Sequence, residues 1–162
     1  MLSKKMQSAL NQQIAHELYS AYLYLSMASH FEASSLPGFA HWMKKQYEEE
    51  TGHGMKIYAY VHNRGGHVEL EAIGKPPVKF KSPLEVMNQV LEHEKTVTGT
   101  IHALYELAIK ENDYATQVML QWFITEQVEE EKTVVDIIEQ LKMVGDARAG
   151  LMMLDRALGA RG

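Results

Sequence analysis

Four long stretches constrain this chain more than any other feature: each lacks an internal proline, each repeats apolar residues every three or four positions, and short, long and short connections join them. Their helical period predicts helices over about 4–34, 38–64, 83–111 and 113–144. The first ends at Ser34-Ser35-Leu36-Pro37-Gly38 and the second at Arg64-Gly65-Gly66, a strong helix stop. Ser82-Pro83 opens the third, with serine as N-cap and proline at the first helical position, and Asp113 caps the fourth. A short fifth helix is predicted over 147–158.

The connections set the topology. Short turns pair the first helix with the second, and the third with the fourth, in antiparallel fashion. The connection from Gly65 to Lys81 is long and holds Pro76-Pro77. A helix of about 28 residues is roughly 42 Å long, and an extended segment at about 3.3 Å per residue is long enough to run back along it. The prediction is an all-α four-helix bundle in one domain over 1–162, with one long crossover and a short fifth helix. Val68–Ile73 alternates apolar and polar residues, which predicts a short extended strand in the crossover.

Each long helix carries a seam of inward positions. The first is Leu10, Ile14, Glu17, Ala21, Tyr24, Ala28, and the second is Phe39, Met43, Gln46, Glu50, His53, Ile57, Tyr60. The third is Leu84, Met87, Leu91, Glu94, Thr98, Ile101, Tyr105, Ala108, and the fourth is Leu120, Phe123, Gln127, Glu130, Val134, Ile137, Leu141. All four seams are apolar at their ends and polar near the middle. Glu17, Glu50, His53, Glu94, Gln127 and Glu130 therefore fall at similar depth in one core. Buried carboxylates without a counter-charge are costly, and no Lys or Arg sits mid-seam; Lys56 and Lys132 are out of phase. A pair of divalent cations would supply the charge. Glu50-x-x-His53 places a carboxylate and an imidazole one turn apart, the spacing of di-iron carboxylate bundles. Such mixed ligation suits iron, with zinc and manganese as chemical alternatives.

Neighbouring residues extend the pattern. Glu126 and Glu129 lie one turn apart beside Glu130, and Glu49 adjoins Glu50; a third cation site and plain surface acidity both account for them. Tyr24 shares the seam of Glu17, where it would hydrogen-bond a ligand or supply an electron, or else serve as a core tyrosine with a satisfied hydroxyl. Trp122 is expected to pack near the site. His16, His30, His41, His62, His67, His93 and His102 show no ligand spacing and are expected at the surface or an interface. The ten methionines read as core filler.

Composition excludes several alternatives. The formal charge of −5 gives no basic face for nucleic acid. Cysteine is absent, which rules out disulfides, thiolate metal sites and cysteine nucleophiles and suits a reducing cytoplasm. No stretch approaches the roughly 20 apolar residues of a membrane span. The expectation is a soluble cytoplasmic protein without membrane or nucleic-acid partners.

The runs Ala15–Leu25, Glu48–His53 and Trp122–Glu130, with Arg64–Leu70 in the crossover, resemble bacterial non-heme ferritins over essentially the whole chain. The resemblance implies a ferritin-like fold and a cage of twenty-four copies storing a ferric oxy-hydroxide mineral. It implies ferroxidase activity on Fe(II) with dioxygen. Glu17, Glu50 and His53 would hold the first iron, Glu50 would bridge, and Glu94 and Glu130 would hold the second. Glu49, Glu126 and Glu129, sharing Glu130, would form the third site, with Gln127 beside the ligands and counted among the metal-site residues. Heme is not expected, because Gly52 stands where the heme-binding sister family carries its axial methionine. That family's second Glu-x-x-His is also missing: the corresponding positions read Gln127-Val128-Glu129-Glu130.

Overall fold

The computed structural model describes residues 1–162. Five helices follow in order: α1 (Lys4–Ala33), α2 (Pro37–Asn63), α3 (Pro83–Lys110), α4 (Tyr114–Val144) and α5 (Arg148–Gly159). Their starts follow from capping chemistry. Ser3 accepts from the Met6 amide at 2.9 Å. Ser82 and Glu85 form a reciprocal capping box. Asp113 accepts from the Thr116 amide at 3.1 Å and is also bonded by Arg64 at 2.9 Å, which ties the end of α2 to the start of α4.

Hydrogen bonds trace the crossover. Near its start, the His67 amide donates to Gln7 Oε1 at 2.9 Å and Asn11 donates to the His67 carbonyl at 3.4 Å. Near its end, Ser26 donates to the Pro77 carbonyl at 2.6 Å and His30 meets the Lys81 carbonyl at 3.2 Å. The segment thus runs alongside α1 in the same direction. It returns the chain to the end of the bundle where α2 began, so α3 lies parallel to α2 and antiparallel to α1. The strand predicted over Val68–Ile73 is not formed: the crossover has no regular structure. A strand needs a second backbone to satisfy its amides, and none in the chain lies beside it; Leu70 and Ile73 remain exposed.

The apolar interior is divided. One cluster joins Tyr24, Phe31, Phe39, Met43, Met87, Val90, Ile137 and Leu141 with Leu154 of α5. The other joins Met6, Leu10, Ile57, Ile101, Leu104, Leu120 and Phe123 at the opposite end. Between them lies the buried polar layer of Glu17, Gln46, Glu50, His53, Glu94, Gln127 and Glu130. The seams of α1 and α4 are buried throughout, and that of α2 is buried except at the half-buried Tyr60. The α3 seam requires correction: Leu84, Leu91, Thr98 and Tyr105 are half-buried, whereas Val90, Val97 and Leu104 are fully buried. Two adjacent columns of α3 are largely apolar, so periodicity does not choose between them. Packing against both α1 and α4 selects the valine column.

The docking of α5 is tight. Leu36, at the N-cap of α2, offers no side-chain acceptor. Instead the buried Asp155 of α5 accepts from the Phe39 amide at 2.9 Å, a cap supplied by another helix and favoured by the positive end of the helix dipole. A Cβ at Gly38 would lie 1.6 Å from the Asp155 carbonyl oxygen, so only glycine permits this approach. Gly38→Ala is expected to lower stability by about 1–3 kcal/mol through overpacking. Gly99→Ala, in an exposed part of α3 with nothing within 4 Å of the added Cβ, should raise it by about 0.5–1 kcal/mol through helix propensity. Thermal unfolding of both variants tests the contrast; equal shifts would contradict the packing argument.

Candidate metal centre

The polar layer draws side chains from all four long helices because each seam passes the bundle middle at its polar residue. Glu17, Glu50 and His53 bring one donor atom each within 4.8 Å of one another. His53 Nδ1 lies 3.4 Å from Glu50 Oε2 and 3.9 Å from Glu17 Oε2. Gln13 donates to Glu17 Oε1 at 2.8 Å. The other Glu17 oxygen and both Glu50 oxygens have no hydrogen-bond partner, although they are buried. Natural proteins rarely leave buried polar atoms unmatched, and three carboxylate oxygens facing an imidazole form a donor set for a hard or borderline cation.

The opposite side of the layer is better satisfied. Tyr24 donates its hydroxyl to Glu94 Oε1, and Gln127 donates to Glu94 Oε2 at 3.1 Å. Gln46 donates to Glu130 Oε2 at 2.8 Å. His53, Glu126 and Glu130 form a second group with donor atoms within 4.8 Å of one another, so His53 stands between the two groups. Its ring packs edge-on against Trp122 at 5.4 Å and Phe123 at 6.0 Å. Lys56 is exposed, as its phase predicted, with its ammonium 4.0 Å from the centre of the Trp122 ring.

Burial shapes the acidities. It pushes the Glu50 carboxyl well above its usual range, and the charges of Glu94 and Glu17 push further. Glu94 is raised because burial outweighs the hydrogen bonds from Tyr24 and Gln127. Glu130 is pushed up to about 8 by burial and then by the Glu94 charge, against the hydrogen bond from Gln46. Burial and then Glu94 raise the Tyr24 phenol well above its ordinary value, which keeps it a proton donor. With nothing bound, the layer resists full ionisation; a cation would reverse that balance.

The structure sorts the residues singled out from sequence. Glu17, Glu50, His53, Glu94, Gln127 and Glu130 meet in one layer, and Tyr24 joins them through Glu94 rather than its seam neighbour Glu17. The three residues grouped as a third site separate. Glu126 is half-buried and reaches His53 and Glu130. Glu49 is exposed and held by one guanidinium nitrogen, Arg161 Nη2, at 2.8 and 2.7 Å from its two oxygens. Glu129 is exposed and in neither group. Sequence reasoning missed Gln13 and Arg161, which contact the layer from outside the mid-seam. His93, expected at the surface or an interface, is half-buried, 2.7 Å from Ser20 Oγ, and burial followed by the nearby His16 pushes its pKa down to about 4. It directly precedes Glu94, and α1 covers that flank of α3.

Known proteins match this chain over its full length. The sequence profile of the ferritin-like domain family, Ferritin, matches residues 7–144. A bacterial non-heme ferritin from Bacteroides fragilis (strain 638R) is 45% identical over 161 residues, covering 99% of this chain and 100% of that protein. One from Staphylococcus aureus (strain USA300) is 41% identical, covering 99% and 97%. Among solved structures, the open pore ferritin of the hyperthermophilic archaeon Archaeoglobus fulgidus superposes with a TM-score of 0.99 at 48% identity, covering 100% of both chains. A profile spanning all four long helices and full-length relatives above 40% identity place this chain in the ferritin family.

Proposed function

We propose that the chain takes up Fe(II), oxidises it with dioxygen at the buried carboxylate layer, and stores the Fe(III) product inside a closed shell of its own copies. The observation that carries this reading is the set of three unpartnered carboxylate oxygens on Glu17 and Glu50 beside His53, in a layer with no buried lysine or arginine. Glu17, Glu50 and His53 would hold one iron, and Glu94 and Glu130 would hold the other, with Glu50 shared. Gln127 and Tyr24 orient Glu94, and Gln46 orients Glu130. Two adjacent Fe(II) substrates would together supply the two electrons that, with two protons from water, reduce one dioxygen to hydrogen peroxide and leave two Fe(III). A third cation would bind beside Glu130 and Glu126, the side on which Glu49 also lies. A purely structural bundle with its acids paired across a subunit interface is disfavoured, because Glu17 and Glu94 are 0% exposed within one chain. No helix is long and apolar enough to cross a membrane, and the absence of cysteine suits a reducing cytoplasm, which we take as the location.

Storage needs an enclosed volume, and closed shells come from repeated symmetric interfaces. α5 buries Leu154 and Asp155 against its own bundle but leaves Met152 and Met153 exposed, and the crossover exposes Leu70, Ile73 and Val78. These apolar surfaces suit contacts between copies. Two measurements test the reading. Anaerobic Fe(II) titration followed by oxygen should oxidise about two irons per chain in the fast phase. Light scattering should give a particle of roughly twenty-four times the 18.4 kDa chain mass. A stable monomer or dimer that oxidises iron would leave the ferroxidase and remove the store.

A further inference from the structure

Arg161 follows α5 and is far in sequence from every seam, yet it touches the outer edge of the metal layer. Nη1 donates to Gln46 Oε1 at 2.6 Å. Nη2 contacts both oxygens of Glu49, at 2.8 and 2.7 Å. The guanidinium stacks on Trp42 at 5.2 Å from the ring centre, and the Arg161 carbonyl accepts from His41 Nε2 at 2.7 Å. The arginine is thus held from both ends.

Two consequences follow. With its oxygen engaged by Arg161, the buried Gln46 amide must direct its NH2 inward, and it donates to Glu130 Oε2 at 2.8 Å. A guanidinium cannot accept a hydrogen bond, so this orientation of Gln46 is enforced. In addition, Glu49 already carries a counter-ion. A carboxylate with both oxygens on one arginine nitrogen is a poorer cation ligand than a free one, because binding must first break the pair. We propose that Arg161 is a positioning residue of the metal layer, a tethered counter-ion that fixes Gln46 toward Glu130 and competes with any cation that would use Glu49, so that a cation joins on that side only when the segment after α5 releases Glu49.

This inference rests on the proposed iron site, and the test separates the two. Metal-stripped protein is titrated with Zn(II), which binds carboxylate and imidazole without redox chemistry, and heats are read by calorimetry. The parent should show two tight equivalents per chain followed by a weak one. Arg161→Gln should tighten the weak equivalent about two- to fivefold, the scale of a half-exposed arginine–carboxylate pair, and keep the tight pair at two equivalents per chain. Adding Glu49→Gln to that variant should cancel the gain. Arg161→Lys, which keeps the charge but cannot hold Gln46 and Glu49 together, should fall between parent and Arg161→Gln. A purely structural role would instead weaken all three equivalents along with thermal stability, and that result, or an unchanged third equivalent beside an intact tight pair, overturns the proposal alone. Loss of the tight pair in the parent removes the iron-site reading and this inference with it.

Discussion

Glu50→Ala is expected to slow Fe(II) oxidation by at least about a hundredfold, the scale of losing a group that positions both reactants, while leaving the metal-free protein as stable as the parent or more so. No donor group of the chain reaches either of its buried oxygens, and it sits among the like charges of Glu94 and Glu17. Removing it relieves a desolvation cost, which offsets the small cavity left behind. Glu94→Ala should lose oxidation equally but behave differently in unfolding. It strands the Tyr24 hydroxyl, which donates to Glu94, while the Gln127 amide keeps the residue 94 carbonyl and Thr98 Oγ1, and a stranded buried donor costs about 1–3 kcal/mol. Stopped-flow oxidation and thermal unfolding of the two variants decide the matter. Unchanged initial rates in both would sink the ligand assignment, and a large loss of stability in Glu50→Ala would show that its carboxylate has an apo partner.

The metal-free protein should become less stable as pH rises from 5 to 8, contrary to the usual behaviour of native carboxylates. Glu130 goes from an ordinary value of 4.5 to about 8 on folding, and Glu50 and Glu94 are raised as well. A carboxyl whose pKa is raised binds its proton more tightly in the folded chain. Stability is therefore full below the unfolded value and is lost as pH climbs through the folded one. For Glu130 alone the ceiling is about 5 kcal/mol at ~1.36 kcal/mol per unit, and relaxation with water entry would leave some part of it, still several degrees in Tm. Divalent cations should reverse the trend at pH 8, since they bind the ionised folded layer and not the unfolded chain. Thermal unfolding of stripped protein at pH 5, 6.5 and 8, with and without Zn(II), checks both signs. A stripped protein more stable at pH 8 than at pH 5 would mean that the carboxylates are already compensated.

Much of this molecule is written locally. Helix starts depend on neighbours three residues away, as at Ser82 and Glu85 or Asp113 and Thr116, and the breaks at Pro37 and Gly65 need no distant partner. Helical period alone sets Glu17, Glu50, Glu94 and Glu130 on inward faces, and the short and long connections bring those faces to one depth. Their chemistry was legible for the same reason: acids on an apolar seam require compensation wherever the seam is buried.

Contacts between residues remote in the chain lay beyond that reach. The α3 rotation depended on α1 and α4 together, since its two candidate columns were similarly apolar. The division of the outer acids, with Glu126 turned toward His53 and Glu49 toward Arg161, was set by how α5 and the segment after it dock on α2. Asp155 capping Phe39 and Arg161 holding Gln46 join residues more than a hundred positions apart, and no period or spacing encodes such a pair. Periodicity records which face of a helix avoids water, because burial acts on every turn. It carries no record of which polar atom a side chain finds at the edge of that face, since that partner is supplied by another helix only after packing.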